Sequence, residues 1–175
     1  MSFNNVGKRW SPLGLKAYLA TLPPPSWATS ITLHHTGVPS LAQRPLGFTQ
    51  QHIQNLEHFY KVKQKWSAGP HFFIDEANIW GLTPPTTRGV HAASFNRSSI
   101  GIEVLGNYNI EDPFEGRGLE CWTRAAKATK EVMKWLKRVH PVVTILFHRD
   151  DPRTRKTCPG NKVKKDWFLQ LMEIQ

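Results

Sequence analysis

Along this 175-residue chain, segments whose apolar residues recur every second position alternate with segments where they recur every third or fourth. No other feature constrains the fold as much, because interleaved strands and helices assemble into an α/β domain. Residues 11–22 read as a short helix with Ser11 as cap and Pro12 at its first position, stopped by Pro23, Pro24 and Pro25. Thr29 to His34 reads as a strand, and Thr49 to Lys65 as an amphipathic helix with Ile53, Leu56, Phe59, Tyr60 and Val62 on one face. His71 to Asp75 and Ile79 to Thr83 form a hairpin pattern about Glu76-Ala-Asn78, and Ser99 to Leu105 is a further strand. A polar loop containing Gly116 and Gly118 leads to a helix capped by Thr123, with Ala126, Thr129, Val132, Met133, Leu136 and Val139 inward. Val142 to Phe147 is the last strand and Lys162 to Met172 the last helix. The expected fold is one α/β domain with a mixed central β-sheet flanked by helices.

Charge and cysteine content narrow what such a domain does. The net charge of +10 sits entirely between Arg124 and Lys165, where 13 basic residues face three acidic ones. A sited interaction with something anionic follows, rather than a sticky surface. Nucleic acid is not expected, since the basic run lacks interleaved aromatics and any known binding motif. Two cysteines allow at most one bridge, so a hydrophobic core must hold the fold, with Cys121 a small buried thiol. The N-terminus has no apolar run resembling a signal peptide, and no stretch approaches the roughly 18 apolar residues of a membrane span. Cytoplasmic synthesis is the expectation.

Several residues with chemical potential fall at strand ends, where α/β sheets build their sites. His34 and His35 close the first strand, His148 the last, and Cys158 follows in Lys156-Thr-Cys-Pro-Gly160. Two imidazoles and a thiolate would give zinc three ligands and leave a fourth position open. Adjacent strand residues point to opposite faces, so only one of His34 and His35 can be a ligand. The competing reading is that these are hydrogen-bonded structural histidines. Glu103 lies among apolar neighbours in Ile100-Gly-Ile-Glu-Val-Leu105, where an unpaired carboxylate is costly. It is either a solvated residue of an edge strand or a carboxyl lining a cleft, where a raised pKa suits a general acid or base. His91, Asn96 and Arg97 occupy a polar loop able to line the same cleft, whereas His52 and His58 read as structural.

Five segments then occur in order: Ile31-Thr-Leu-His-His-Thr-Gly37, Gly69-Pro-His-Phe-Phe-Ile-Asp75, Gly89-Val-His-Ala92, Asn96 through Glu103, and His148 through Lys156-Thr-Cys-Pro159. Together, over roughly residues 28–168, they resemble the zinc N-acetylmuramoyl-L-alanine amidases, a family that includes bacteriophage endolysins and peptidoglycan recognition proteins. The resemblance implies one zinc ion held by His34, His148 and Cys158. It implies Lys156 on the oxyanion and Glu103 as catalytic acid and base, with His91, Asn96 and His35 as substrate contacts. It divides the chain into an N-terminal segment, 1–27, and an amidase domain, 28–175. One departure stands out: the endolysin and recognition-protein pattern has Tyr after the glycine of the Gly69 segment, and this chain has Pro70. The glutamate-bearing branch, typified by cytosolic recycling amidases, usually has Asp as third ligand where this chain has Cys158.

The resemblance implies hydrolysis of the amide between N-acetylmuramic acid and L-alanine in peptidoglycan. The charge favours an endolysin over a recycling amidase, with a non-catalytic peptidoglycan-binding module as the remaining reading. An endolysin without a signal peptide would be released to the wall by a separate agent such as a holin. The further expectations are a monomer and a basic patch that meets the anionic cell envelope near the active site.

Overall fold

A computed structural model describes residues 3–175. Alternation within the strands divides the molecule into two unlike halves. In β2 (Ser30–His35), Ile31 and Leu33 point to one face of the sheet, as do Ile100, Ile102 and Val104 of β5 (Ser99–Val104) and Ile145 and Phe147 of β6 (Thr144–Phe147). That face is covered by α1 (Pro12–Ala20), α3 (Gly116–Leu136) and α4 (Lys165–Ile174). These contribute Leu15 and Leu19, Trp122, Val132 and Leu136, and Phe168 and Met172 to one continuous core. The opposite face carries Thr32 and His34 of β2 and Ser99, Gly101 and Glu103 of β5. Beside them a smaller apolar cluster forms from Phe73, Trp80, Phe48, Ile53 and Leu105. The polar alternation that a strand needs only for water on a solvated face is here the floor of a cleft.

The sheet is mixed, as expected, with order β1-β4-β3-β5-β2-β6. β2 runs parallel to both β5 and β6, β3 (Phe72–Ile74) runs parallel to β5, and β4 (Ile79–Gly81) pairs antiparallel with β3 in the expected hairpin. β1 (Arg9–Trp10), too short to read in the sequence, adds an antiparallel edge to β4. The segment before residue 28 therefore shares the sheet through β1 and the core through α1.

Local chemistry explains the helix boundaries. Ser11 accepts the Gly14 amide at the start of α1, and Pro12 occupies its first turn. At α2 (Gln50–His58), Thr49 and His52 form a reciprocal cap, which is the structural role of that histidine. The expected regular helix to Lys65 stops at His58 and continues as a π-turn, Phe59–Lys63. As a result Phe59 and Val62 are exposed rather than in the core.

α3 begins at Gly116, seven residues before Thr123, which is not its cap. Gly118 looked like a loop residue, but its place has a packing cause: a Cβ there would lie 1.9 Å from the Asp112 carbonyl oxygen, so only glycine lets the preceding loop fold onto the helix. Val139, expected inside, lies beyond the end of α3 and is half exposed.

Candidate metal centre and active-site cleft

Parallel register brings the separated residues together. His34 is paired with Glu103 across β2 and β5, and Leu33 with Phe147 across β2 and β6, so His148 follows directly beside His34. Cys158 arrives from the loop after the short 3₁₀ turn His148–Asp150, and the His35 amide donates to its Sγ at 3.4 Å. His34 Nδ1 lies 3.1 Å from His148 Nδ1 and 3.8 Å from Cys158 Sγ, and the three donor atoms all fall within 4.8 Å of one another. Tetrahedral zinc with ordinary bond lengths sets its nitrogens about 3.3 Å apart and its nitrogen and sulfur about 3.6 Å apart. The donor types fit zinc, and both distances from His34 lie near these values. β2 turns His34 into this cluster and His35 away from it, where Nδ1 of His35 accepts the Tyr108 amide at 3.1 Å.

The cluster lies in a cleft of about 450 Å³. Glu103, its side chain 16% exposed, places Oε1 3.9 Å from His34 Nδ1 and makes no hydrogen bond to a described residue. Burial pushes this carboxyl up to about 8, with Lys156 pulling the other way. The solvated-edge reading of Glu103 fails, because β5 is an interior strand with β3 and β2 on either side. Lys156 is exposed and lines the same cleft. Burial holds His34 well below the usual imidazole range and pushes the Cys158 thiol up to about 12, so the free thiol keeps its proton at neutral pH.

Of the three residues expected at the substrate, His35 and His91 border the cleft and Asn96 does not, and all three have other attachments. His91 borders the cleft, but both ring nitrogens are engaged: Nδ1 with His34 Nε2 at 3.0 Å and Nε2 with the Ser99 carbonyl at 3.2 Å. Asn96 is absent from the cleft lining, and its Oδ1 accepts the amides of His91 and Ala92, both at 2.8 Å. Apart from Pro70, sequence reasoning did not place the aromatic part of the lining, Phe48, Phe59, Tyr60 and Trp66, at the cleft. Tyr60 stacks on Trp66 with ring centroids 5.4 Å apart. The helical spacing of Phe59 and Tyr60 looks like core, but both fall in the π-turn and line the cleft, with Trp66 just beyond it. His71 also went unremarked: its ring is buried, with Nδ1 accepting the Gly101 amide and Nε2 donating to the Thr87 carbonyl.

The loop between β2 and α2 supplies Val38 and Pro39 to the rim. Glu111 accepts the amides of Leu41 and Ala42, and Arg117 reaches the carbonyls of Leu41 and Arg44 while paired with Glu76. This wall of the cleft is thereby tied to the start of α3.

The family model for N-acetylmuramoyl-L-alanine amidase matches residues 24–161, a span containing every residue of this cleft. The chain belongs to that amidase family. Among curated proteins it is similar to peptidoglycan-recognition protein SD of Drosophila melanogaster, 37% identical over 65 residues that cover 36% of this chain and 35% of that protein. It is also similar to peptidoglycan-recognition protein SC2 of the same fly, 32% identical over 44% of this chain and 42% of that one. The chain thus spans between a third and a half of the length of these curated relatives. Among solved structures, the endolysin amidase LysCS from Clostridium intestinale URNW superposes with a TM-score of 0.61 at 23% identity, covering 85% of this chain and 86% of the other. Wild-type Drosophila PGRP-LB gives 0.60 at 20% identity over 79% and 77%. These likenesses show the fold of the amidase family. No helix among the described residues is long and apolar enough to cross a membrane.

Two groups of the basic residues occupy different sides of the molecule. Lys127, Lys130 and Lys134 lie on the outer side of α3 with Lys16 of α1, so the sheet stands between them and the cleft. Arg153, Arg155 and Lys156 are exposed on the loop that leads to Cys158. Of these residues only Lys156 lines the cleft, and the α3 lysines lie away from it on a helix whose inner face is committed to the core.

Proposed function

We propose that this amidase-family protein is a zinc hydrolase that cleaves the bond between N-acetylmuramic acid and L-alanine in peptidoglycan, and that it serves as a phage or prophage endolysin. One observation carries the reading: a largely buried carboxyl with no hydrogen bond to a described residue, Glu103, faces the His34, His148 and Cys158 donor set in the cleft that also holds Lys156. A structural carboxylate in such a place would be paired.

Zinc held by His34, His148 and Cys158 would supply a Lewis acid and would bring bound water toward a pKa of about 7. Burial raises the metal-free Glu103 carboxyl to about 8, and a bound cation beside it would favour the ionised form, which would take the proton of the attacking water and return it to the departing L-alanine nitrogen. The Lys156 ammonium faces the negative charge that develops on the lactyl carbonyl oxygen. The wall of Phe59, Tyr60 and Trp66 limits water on the far side of the cleft. The protein is made in the cytoplasm and reaches the wall through a separate release agent such as a holin. Its exposed cations favour that polyanionic surface.

A second reading, cleavage of soluble recycled muropeptides, draws support from Glu103 together with Pro70 in place of a tyrosine. Mass spectrometry of products from intact sacculi and from soluble anhydro-muropeptides, with and without chelator, separates the two. The endolysin reading expects chelator-sensitive release of L-alanine-ended peptides from sacculi. Glu103→Gln is expected to keep its zinc and lose turnover by about 10²- to 10⁴-fold. Undiminished turnover in that variant refutes the role of Glu103, and binding without product from either substrate leaves a recognition module.

A further inference from the structure

From its ring contacts we infer that His91 is a positioning residue for the metal centre, fixing the tautomer and the plane of His34 through a relay that ends on a backbone carbonyl. The inference rests on the proposed zinc site. The Ser99 carbonyl, 3.2 Å from Nε2, can only accept, and the longer 3.4 Å contact of Nε2 with Ser99 Oγ competes poorly because that hydroxyl is engaged with Thr32 Oγ1 at 2.8 Å, so the proton of the His91 ring sits on Nε2. His91 Nδ1 is then bare and must accept, which puts the His34 proton on Nε2, 3.0 Å away. His34 Nδ1 is left with its lone pair directed at His148 Nδ1 and Cys158 Sγ, where a metal would sit. A carbonyl in β5 thus dictates which nitrogen of a β2 histidine is free to bind.

The surroundings hold His91 to this task. Its amide donates to Asn96 Oδ1 at 2.8 Å, fixing the loop from which the ring projects. Gly101 lies beneath the ring: a Cβ there would come within 2.6 to 2.9 Å of His91 ring atoms, so only glycine leaves the imidazole its place. On its other side the ring meets His71 edge to face at 5.9 Å, and His71 is itself fixed by the Gly101 amide and the Thr87 carbonyl. Carboxylates and carbonyls commonly orient metal-bound histidines in this way, and losing such a partner typically costs 10- to 100-fold in metal affinity. Here a neutral imidazole stands between ligand and carbonyl.

The test uses the full chain, labelled with ¹⁵N-histidine, first without metal. Two-bond ¹H–¹⁵N spectra of the wild type should show both His34 and His91 as Nε2–H tautomers. His34 or His91 carrying its proton on Nδ1 overturns the relay, whatever the enzyme does. Zinc affinity by chelator competition is then compared in His91→Phe, which keeps a ring without an acceptor, and His91→Asn, whose Oδ1 can stand where Nδ1 stood. Affinity should fall by about 10- to 100-fold in the first and recover to within a few-fold of wild type in the second. Unchanged zinc affinity in His91→Phe with a raised KM refutes the inference and returns His91 to the substrate. A wild type that takes up no zinc refutes the metal centre instead, while the tautomer spectra still decide the relay.

Discussion

Replacing Glu103 by Gln should stabilise the metal-free protein, and by an amount that grows with pH. The carboxyl is raised from 4.5 to about 8 by burial, so in the folded chain it holds its proton across a range where the unfolded chain has lost it. The folded state then binds more protons than the unfolded state, and stability falls as pH rises, by about 1.4 kcal/mol per pH unit between 4.5 and 8. Summed over that range the cost reaches at most about 5 kcal/mol, and the 16% exposure of the side chain to the cleft reduces it toward roughly 2 to 3 kcal/mol. Gln is neutral throughout and escapes it. The buried His34, His71 and His91 have the opposite sign: their folded pKa values are lowered, so their contribution is lost as pH falls below 6.5. These three are common to both proteins and cancel in the difference. Urea unfolding in chelator at pH 5, 6.5 and 8 measures it. The gap between Glu103→Gln and wild type should be near zero at pH 5 and widest at pH 8. A gap that does not change with pH, or a variant less stable at pH 8, would refute the claim that Glu103 is an unpaired buried acid.

Zinc affinity should rise about tenfold per pH unit from 6.5 to 8, because the Cys158 thiol, pushed up to about 12, must release a proton to bind. Chelator competition reads this, and a flat profile would remove Cys158 from the ligand set. Gly101→Ala should drive the His91 ring from its place, costing about 1 to 3 kcal/mol of stability and weakening zinc binding; wild-type values for both would contradict the close approach. Arg117→Ala frees the loop carrying Val38 and Pro39 from the start of α3. The expected loss is about 1.5 to 3 kcal/mol in thermal unfolding, with a raised KM and a smaller change in kcat.

Where a local rule acts alone, the sequence was sufficient. Two-residue alternation separated His34 from His35, the cap at Ser11 and Pro12 set the start of α1, and an isolated acid among Ile100, Ile102 and Val104 marked Glu103. Where the cause lies elsewhere in the chain, it was not. Gly118 reads as a turn until the Asp112 carbonyl is seen against it, and Gly101 reads as a weak point in a strand until His91 is seen above it. Gly89 is similar, with the His71 ring 2.6 Å from where a Cβ would be. Glycines inside an otherwise apolar pattern were the available signal for a ring packed on the backbone. The π-turn had no signal, and with it Phe59 and Tyr60 leave an expected core for the cleft wall.

The two unlike faces of the sheet also decide how this chain can change. Along β5 the core and the cleft take alternate residues, with Ile100, Ile102 and Val104 on one side and Ser99, Gly101 and Glu103 on the other. Substitutions can therefore adjust packing at one parity and reactivity at the other, almost independently. Insertions and deletions have no such freedom. One residue gained or lost in β5 exchanges the two sets, burying the acid beneath α3 and lining the cleft with isoleucine. Variation in length is confined to loops, while the strand that carries Glu103 can be edited only letter by letter.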